Sequence, residues 1–98
     1  MATAYITEYR NIGIQQGNVI PVAAEPAIAE QTVSFTTTTQ SAAFNAQTRF
    51  VRITSDAECH MKFGADPTAT TSTQQVQADT VEWRMVEPGH KVAFVTAA

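Results

Sequence analysis

The sequence predicts an all-β chain folded as a small antiparallel β-sandwich or jelly-roll-like domain, with a closed barrel as the next choice. Three observations predict it. Runs rich in Val, Ile, Thr and aromatic residues alternate apolar with polar at period two. Glycine, proline and Asp/Asn turn formers separate these runs at intervals of roughly 8 to 12 residues. Helix signals are almost absent, because the one helix-friendly stretch, residues 23–30, carries Pro26 in its middle, where a helical hydrogen bond would be lost.

Taken in order, Ala4 to Tyr9, Asn18 to Val22 and Gln31 to Thr36 read as strands, and residues 23–30 as an exposed loop. In Thr48 to Thr54, Val51 and Ile53 alternate with Arg52 and Thr54. In Glu58 to Phe63, Cys59, Met61 and Phe63 alternate with His60 and Lys62. In Thr80 to Val86, Val81, Trp83 and Met85 alternate with Glu82 and Arg84, so the large apolar groups share one face, and Trp83 is the best core candidate. Lys91 to Thr96 is apolar on both faces, as in a well-buried central strand. Glu87-Pro88-Gly89-His90 reads as a tight hairpin turn joining these last two runs, with Pro presetting φ and Gly accepting a positive one. Residues 36–43 and 65–77 are Thr-rich, low in complexity, and read as long β connections.

A chain of 98 residues holds one domain, spanning 1–98, with a modest core. Small cores are commonly reinforced by disulfides, metals or association. The single cysteine, Cys59, excludes an intrachain disulfide, and no Cys pair or HxxxH spacing accompanies His60 and His90, so no metal or other cofactor is expected. Association remains. Charged residues make up 15 % of the chain against about 25 % in ordinary domains, and Thr, Gln and Ala replace them. Such a weakly charged surface suits a protein covered by neighbours.

Net charge is −3 and the six basic residues are scattered along the chain, which argues against nucleic acid. No run approaches the length of a membrane span, and the N-terminal stretch lacks a basic region followed by an apolar one, so neither a membrane partner nor secretion is expected. Catalysis is not expected either. Cys59 and His60 are adjacent, and in a strand adjacent side chains point to opposite faces, which prevents activation of the thiol. His90 lies in a turn, Asp56 with Glu58 and Glu82 with Glu87 are solvated acid pairs, and no phosphate-loop spacing surrounds Gly64. Most of the eight aromatic residues fall in strand contexts and read as core.

Three segments carry a resemblance: TRFVRI at 48–53, FGADPTA at 63–69 and VEPGHKVA at 86–93. Together they resemble small virion structural proteins of tailed bacteriophages, of the capsid cement or decoration type. The resemblance covers about the last half of the chain. It implies a protein made in the host bacterial cytoplasm and placed on the capsid surface of the virion. There it would bind the major capsid protein, other copies of itself, or both, as part of a large symmetric assembly. A tail, neck or fibre component is the alternative, and a small carbohydrate-binding β module is the alternative of another class. For partner contacts the sequence offers residues 1–10 as a contact arm bearing Tyr5, Tyr9 and Arg10, and the Thr-rich loops with Thr37, Thr38, Thr39, Thr70 and Thr71. Removal of residues 1–10 is then expected to weaken binding and leave the fold intact.

Overall fold

A computed structural model describes residues 2–15, 17–23 and 25–97. Ala24, inside the expected 23–30 loop, and Met1, the start of the expected arm, lie outside the described residues. Ten strands and no helix are present among the described residues: β1 Ala2–Tyr9, β2 Ile12–Gln15, β3 Asn18–Ala23, β4 Ala29–Phe35, β5 Thr39–Gln40, β6 Phe50–Ser55, β7 Cys59–Gly64, β8 Gln74–Val76, β9 Glu82–Met85 and β10 Lys91–Thr96. They form one four-stranded sheet in the order β4-β1-β6-β9, a second in the order β5-β10-β7-β8, and a separate two-stranded ribbon, β2-β3. All pairings are antiparallel. The two four-stranded sheets pack face to face, which is the expected β-sandwich.

Alternation decides which side chains enter the core. The first sheet contributes Ala2, Ala4, Ile6, Val33, Phe35, Val51 and Ile53, and the second contributes Cys59, Met61, Val76, Val92 and Phe94. Phe35 and Phe94 stack across the sheets with ring centroids 5.4 Å apart. The last strand is interior to its sheet, and Val92, Ala93 and Phe94 are fully buried, as its two-sided apolar pattern requires. Cys59 points into the core while His60 points out and takes Thr73 O at 3.0 Å through Nδ1.

Four expectations need correction. Residues 2–9 are no arm: β1 lies between β4 and β6 and delivers Ala2, Ala4 and Ile6 to the core, because its small and branched residues fall on one face. The element that stands apart is the β2-β3 ribbon, which pairs with neither sheet. Second, Glu87 to His90 is the expected turn, closed by His90 N–H donating to Glu87 O at 3.1 Å with Gly89 at φ 83, yet it is no hairpin. It carries the chain from β9 in the first sheet to β10 in the second.

Third, the Thr-rich connections are not wholly irregular: β5 and β8 lie within them, and the 65–73 segment folds back against the outer face of the second sheet. There Gln40 Nε2 donates to Asp66 Oδ1 at 2.7 Å and to Pro67 O at 2.9 Å, and Ala69 and the outward-pointing Ala93 are buried. Fourth, Trp83 is no core residue. The register places Trp83 beside Arg52 and Met85 beside Phe50, both outward, and turns Glu82 and Arg84 inward beside Ile53 and Val51. Trp83 is 47 % exposed and Met85 88 %. As an edge strand at the side of the sandwich, β9 has its inner side chains near solvent, where Glu82 and Arg84 form a 3.0 Å ion pair.

Candidate interaction surface

The outer face of the first sheet carries the chain's unusual chemistry. At the end of the sheet from which the β2-β3 ribbon departs, Tyr9 and Phe50 stack with centroids 5.4 Å apart, and Trp83 tilts against both at 6.0 Å. Between this cluster and the base of the ribbon runs an open groove of about 790 Å³, lined on the apolar side by Ile12, Val22, Phe50, Trp83 and Met85. Arg10, Arg49 and Arg84 also line it. The remaining arginine, Arg52, sits on the outer face beside Trp83. Arg10, Arg49 and Arg52, scattered along the chain, are thus gathered on one side of a molecule whose net charge is −3, while the Arg84 side chain turns inward to Glu82 and Gln74. Exposed Trp, Tyr, Met and Arg together are the composition of protein-binding hot spots, and an exposed contiguous apolar patch marks a docking surface.

Further along the face, Tyr5 is 49 % exposed and Val81 43 %. They flank a smaller depression with Arg52, Thr54 and Asp79, where Asp79 adopts a positive φ of 60° that aspartate tolerates.

The contact residues expected from sequence divide between two sides. Tyr5 and Arg10 belong to this face. Tyr9 does too, but it is buried at 4 % exposure, with its hydroxyl donating to Glu25 Oε2 at 2.7 Å, so it shapes the face rather than presenting itself. That hydrogen bond, then burial, raises the Tyr9 pKa, so any stability gained from the neutral phenol is complete at neutral pH and lost only at strongly alkaline pH.

Thr37, Thr38, Thr39, Thr70 and Thr71 lie on the opposite side of the sandwich, beside the second sheet. Several of their hydroxyls are used within the chain: Thr38 Oγ1 accepts Ala69 N–H at 3.0 Å, Thr70 Oγ1 accepts Ser72 N–H at 3.2 Å, and Thr39 donates to Thr37 O at 2.9 Å. Phe50, Trp83 and Met85 are what the sequence reading missed. Their signal was present as alternation, which told which residues share a face but not which face points out.

Comparisons with known protein families, with curated proteins and with solved structures return no match. The chemistry of the surface therefore carries the functional argument. Among the described residues no group of three or more His, Cys, Asp or Glu side chains converges to hold a metal. A sugar-binding platform needs ring faces laid open side by side, whereas Tyr9 and Phe50 spend theirs on each other at an interplanar angle of 18°.

Cys59 is fully buried, and burial raises its thiol pKa, with a Ser55 hydrogen bond pulling the other way. Because the pKa is raised, the neutral thiol's contribution to stability is whole below the ordinary thiol range and declines as pH rises through the folded value. An aromatic disulfide reagent at pH 8 is expected to leave the folded chain unmodified and to titrate one thiol in urea. Rapid reaction without urea would contradict the packing around β7.

Proposed function

We propose that this chain is a capsid cement or decoration protein of a tailed bacteriophage, binding the outer shell at junctions between major capsid proteins and stabilising it. The observation that carries the reading is the outward Phe50–Trp83–Met85 face, with Trp83 and Met85 exposed and Arg10, Arg49 and Arg52 around it, beside a ribbon that pairs with neither sheet. A rigid sandwich supplies the platform, the aromatic and methionine side chains supply area that loses water on docking, and the arginines supply orientation. The resemblance in the last half of the chain supplies the virion context. Repetition of weak contacts over a symmetric shell gives avidity without a tight individual site. No chemistry is performed in this reading: the function is mechanical.

Purified virions decide between this reading and a tail, neck or fibre position. Cement function requires on the order of hundreds of copies per particle, comparable with the major capsid protein, by quantified gel bands or mass spectrometry. Added back to particles lacking it, the wild-type protein is expected to raise the temperature of shell disruption, and a Trp83→Ala, Met85→Ala variant to lose most of that effect, since aromatic anchors dominate interfaces. A copy number in the low tens moves the protein to the neck or tail, and no protection by the wild type ends the cement reading.

A further inference from the structure

β9 leaves one edge of its sheet unpaired. Val86 N–H donates to Arg49 O at 3.0 Å, and the register continues from that bonded pair to Val51 with Arg84 and Ile53 with Glu82. Bonded and non-bonded pairs alternate in an antiparallel ladder, so Glu82, Arg84 and Val86 turn their backbone groups toward β6. Val81, Trp83 and Met85 therefore turn theirs to the open edge. Among the described residues, Trp83 O is held there only by the chain's own Arg84 guanidinium, at 2.9 Å. The side chains at this edge read Val81-Glu82-Trp83-Arg84-Met85, which is complementary in charge to its own reverse about Trp83.

We infer that two copies of this chain associate through antiparallel pairing of their β9 strands about a two-fold axis at Trp83. Register leaves little freedom. Opposed residues must share a face and bonded positions must oppose bonded positions, so only pairings of odd with odd numbers are allowed. Placing Trp83 opposite Val81 would oppose Glu82 with Glu82, and placing it opposite Met85 would oppose Arg84 with Arg84. Placing Trp83 opposite Trp83 sets Glu82 against Arg84 of the second copy twice, at the closely spaced non-bonded positions, and Val81 against Met85 twice. Trp83 N–H of the second copy then replaces the Arg84 guanidinium on Trp83 O, freeing that guanidinium for its cross-strand acid.

The other edges of the two four-stranded sheets lack this match. The outward side chains of β4 are Glu30, Thr32 and Ser34, β8 has exposed Gln74 and Gln75, and β5 is two residues long. Pairing would join two four-stranded sheets into one and place two Trp83 rings side by side on the same outer face, doubling the apolar surface available for docking. The inference concerns the isolated protein and stands apart from the virion reading.

Sedimentation velocity and light scattering on the purified full chain test it. The wild type is expected to be dimeric at about 1 mM or below. Glu82→Arg and Arg84→Glu are each expected to weaken the dimer by about tenfold or more while circular dichroism stays unchanged, because each opposes like charges twice. An equimolar mixture of the two is expected to restore dimers as heterodimers, since the reversed position 82 of one then faces the reversed position 84 of the other. Mixing cannot repair the ion pair within either chain, so this outcome separates an interface from an internal role. The double variant, which keeps the internal pair, is expected to dimerise with itself and covers the case of a single variant that fails to fold. A monomeric wild type throughout that range overturns the inference, as does a dimer that neither single reversal weakens. So does a mixture that stays monomeric.

Discussion

A chain lacking residues 1–10 is expected to lose its fold altogether. β1 pairs along its length with β4 on one side and β6 on the other, from Ala2 opposite Phe35 to Tyr9 opposite Phe50. Its removal takes Ala2, Ala4 and Ile6 from the core and strips the bonding edges of two neighbouring strands. Truncation of one fully buried isoleucine to alanine already costs about 2–5 kcal/mol. Against a total stability of about 5–15 kcal/mol for a domain of this kind, loss of a whole interior strand leaves nothing to fold. The check is a thermal melt by circular dichroism: the truncated chain is expected to show no cooperative transition. A cooperative melt near that of the full chain would mean that residues 1–10 are an appendage after all.

The second large effect is expected from Glu8. This carboxylate is 2 % exposed, at the inner end of β1, and no neighbouring cation is required to explain it because three donors reach it. Oε1 accepts Asn45 N–H at 2.8 Å and the Thr48 hydroxyl at 2.8 Å, and Oε2 accepts Gln31 Nε2 at 3.1 Å. Gln31 Oε1 in turn accepts Ala42 N–H at 3.0 Å. One acid thus ties β1 and β4 to the 42–48 connection that leads from β5 to β6. Glu8→Ala removes the acceptors and leaves a backbone N–H and the fully buried Thr48 hydroxyl unpaired. Hydrogen bonds to a charged group contribute about 1.5–3 kcal/mol each, and orphaned donors cost a comparable amount, so a loss of about 3 kcal/mol or more is expected in urea unfolding. Glu8→Gln, which retains one carbonyl oxygen for the donors, is expected to lose about half as much. A loss below about 1 kcal/mol for alanine would mean that water enters and replaces the carboxylate.

Glu8 also shows why parts of the molecule were not legible in advance. In the sequence it is an ordinary acidic residue in an alternating strand, and nothing local distinguishes it from solvated Glu58. What buries it is the convergence of Asn45 and Thr48, 37 and 40 residues away. The aromatic face was hidden for a related reason. Val81, Trp83 and Met85 alternate with Glu82 and Arg84, and a hydrophobic rule turns the larger set inward. That rule assumes a strand with a covered inner side. At a sandwich edge the inner side is half open, Gln74 on β8 meets Arg84 Nε at 3.3 Å, and the charged pair is accommodated there instead. The ribbon β2-β3 was half read: Asn18 to Val22 was expected as a strand, but its partner Ile12–Gln15 was not, since its short run includes a glycine.

The sequence alone determined what local rules and period-two alternation can specify. These are the all-β class, the strands around Val51, Met61 and Phe94, the inward thiol of Cys59, the turn at Pro88-Gly89, and the two-sided burial of the last strand. The tertiary structure alone decided what depends on which strands become neighbours. β1 became an interior strand instead of an arm, β9 and β10 went to different sheets, Trp83 faced outward, and Arg10, Arg49 and Arg52 came to one face. The physical reason is that period-two alternation encodes two faces without naming the inner one, and sheet edges arise only once long-range pairing has chosen the strand order.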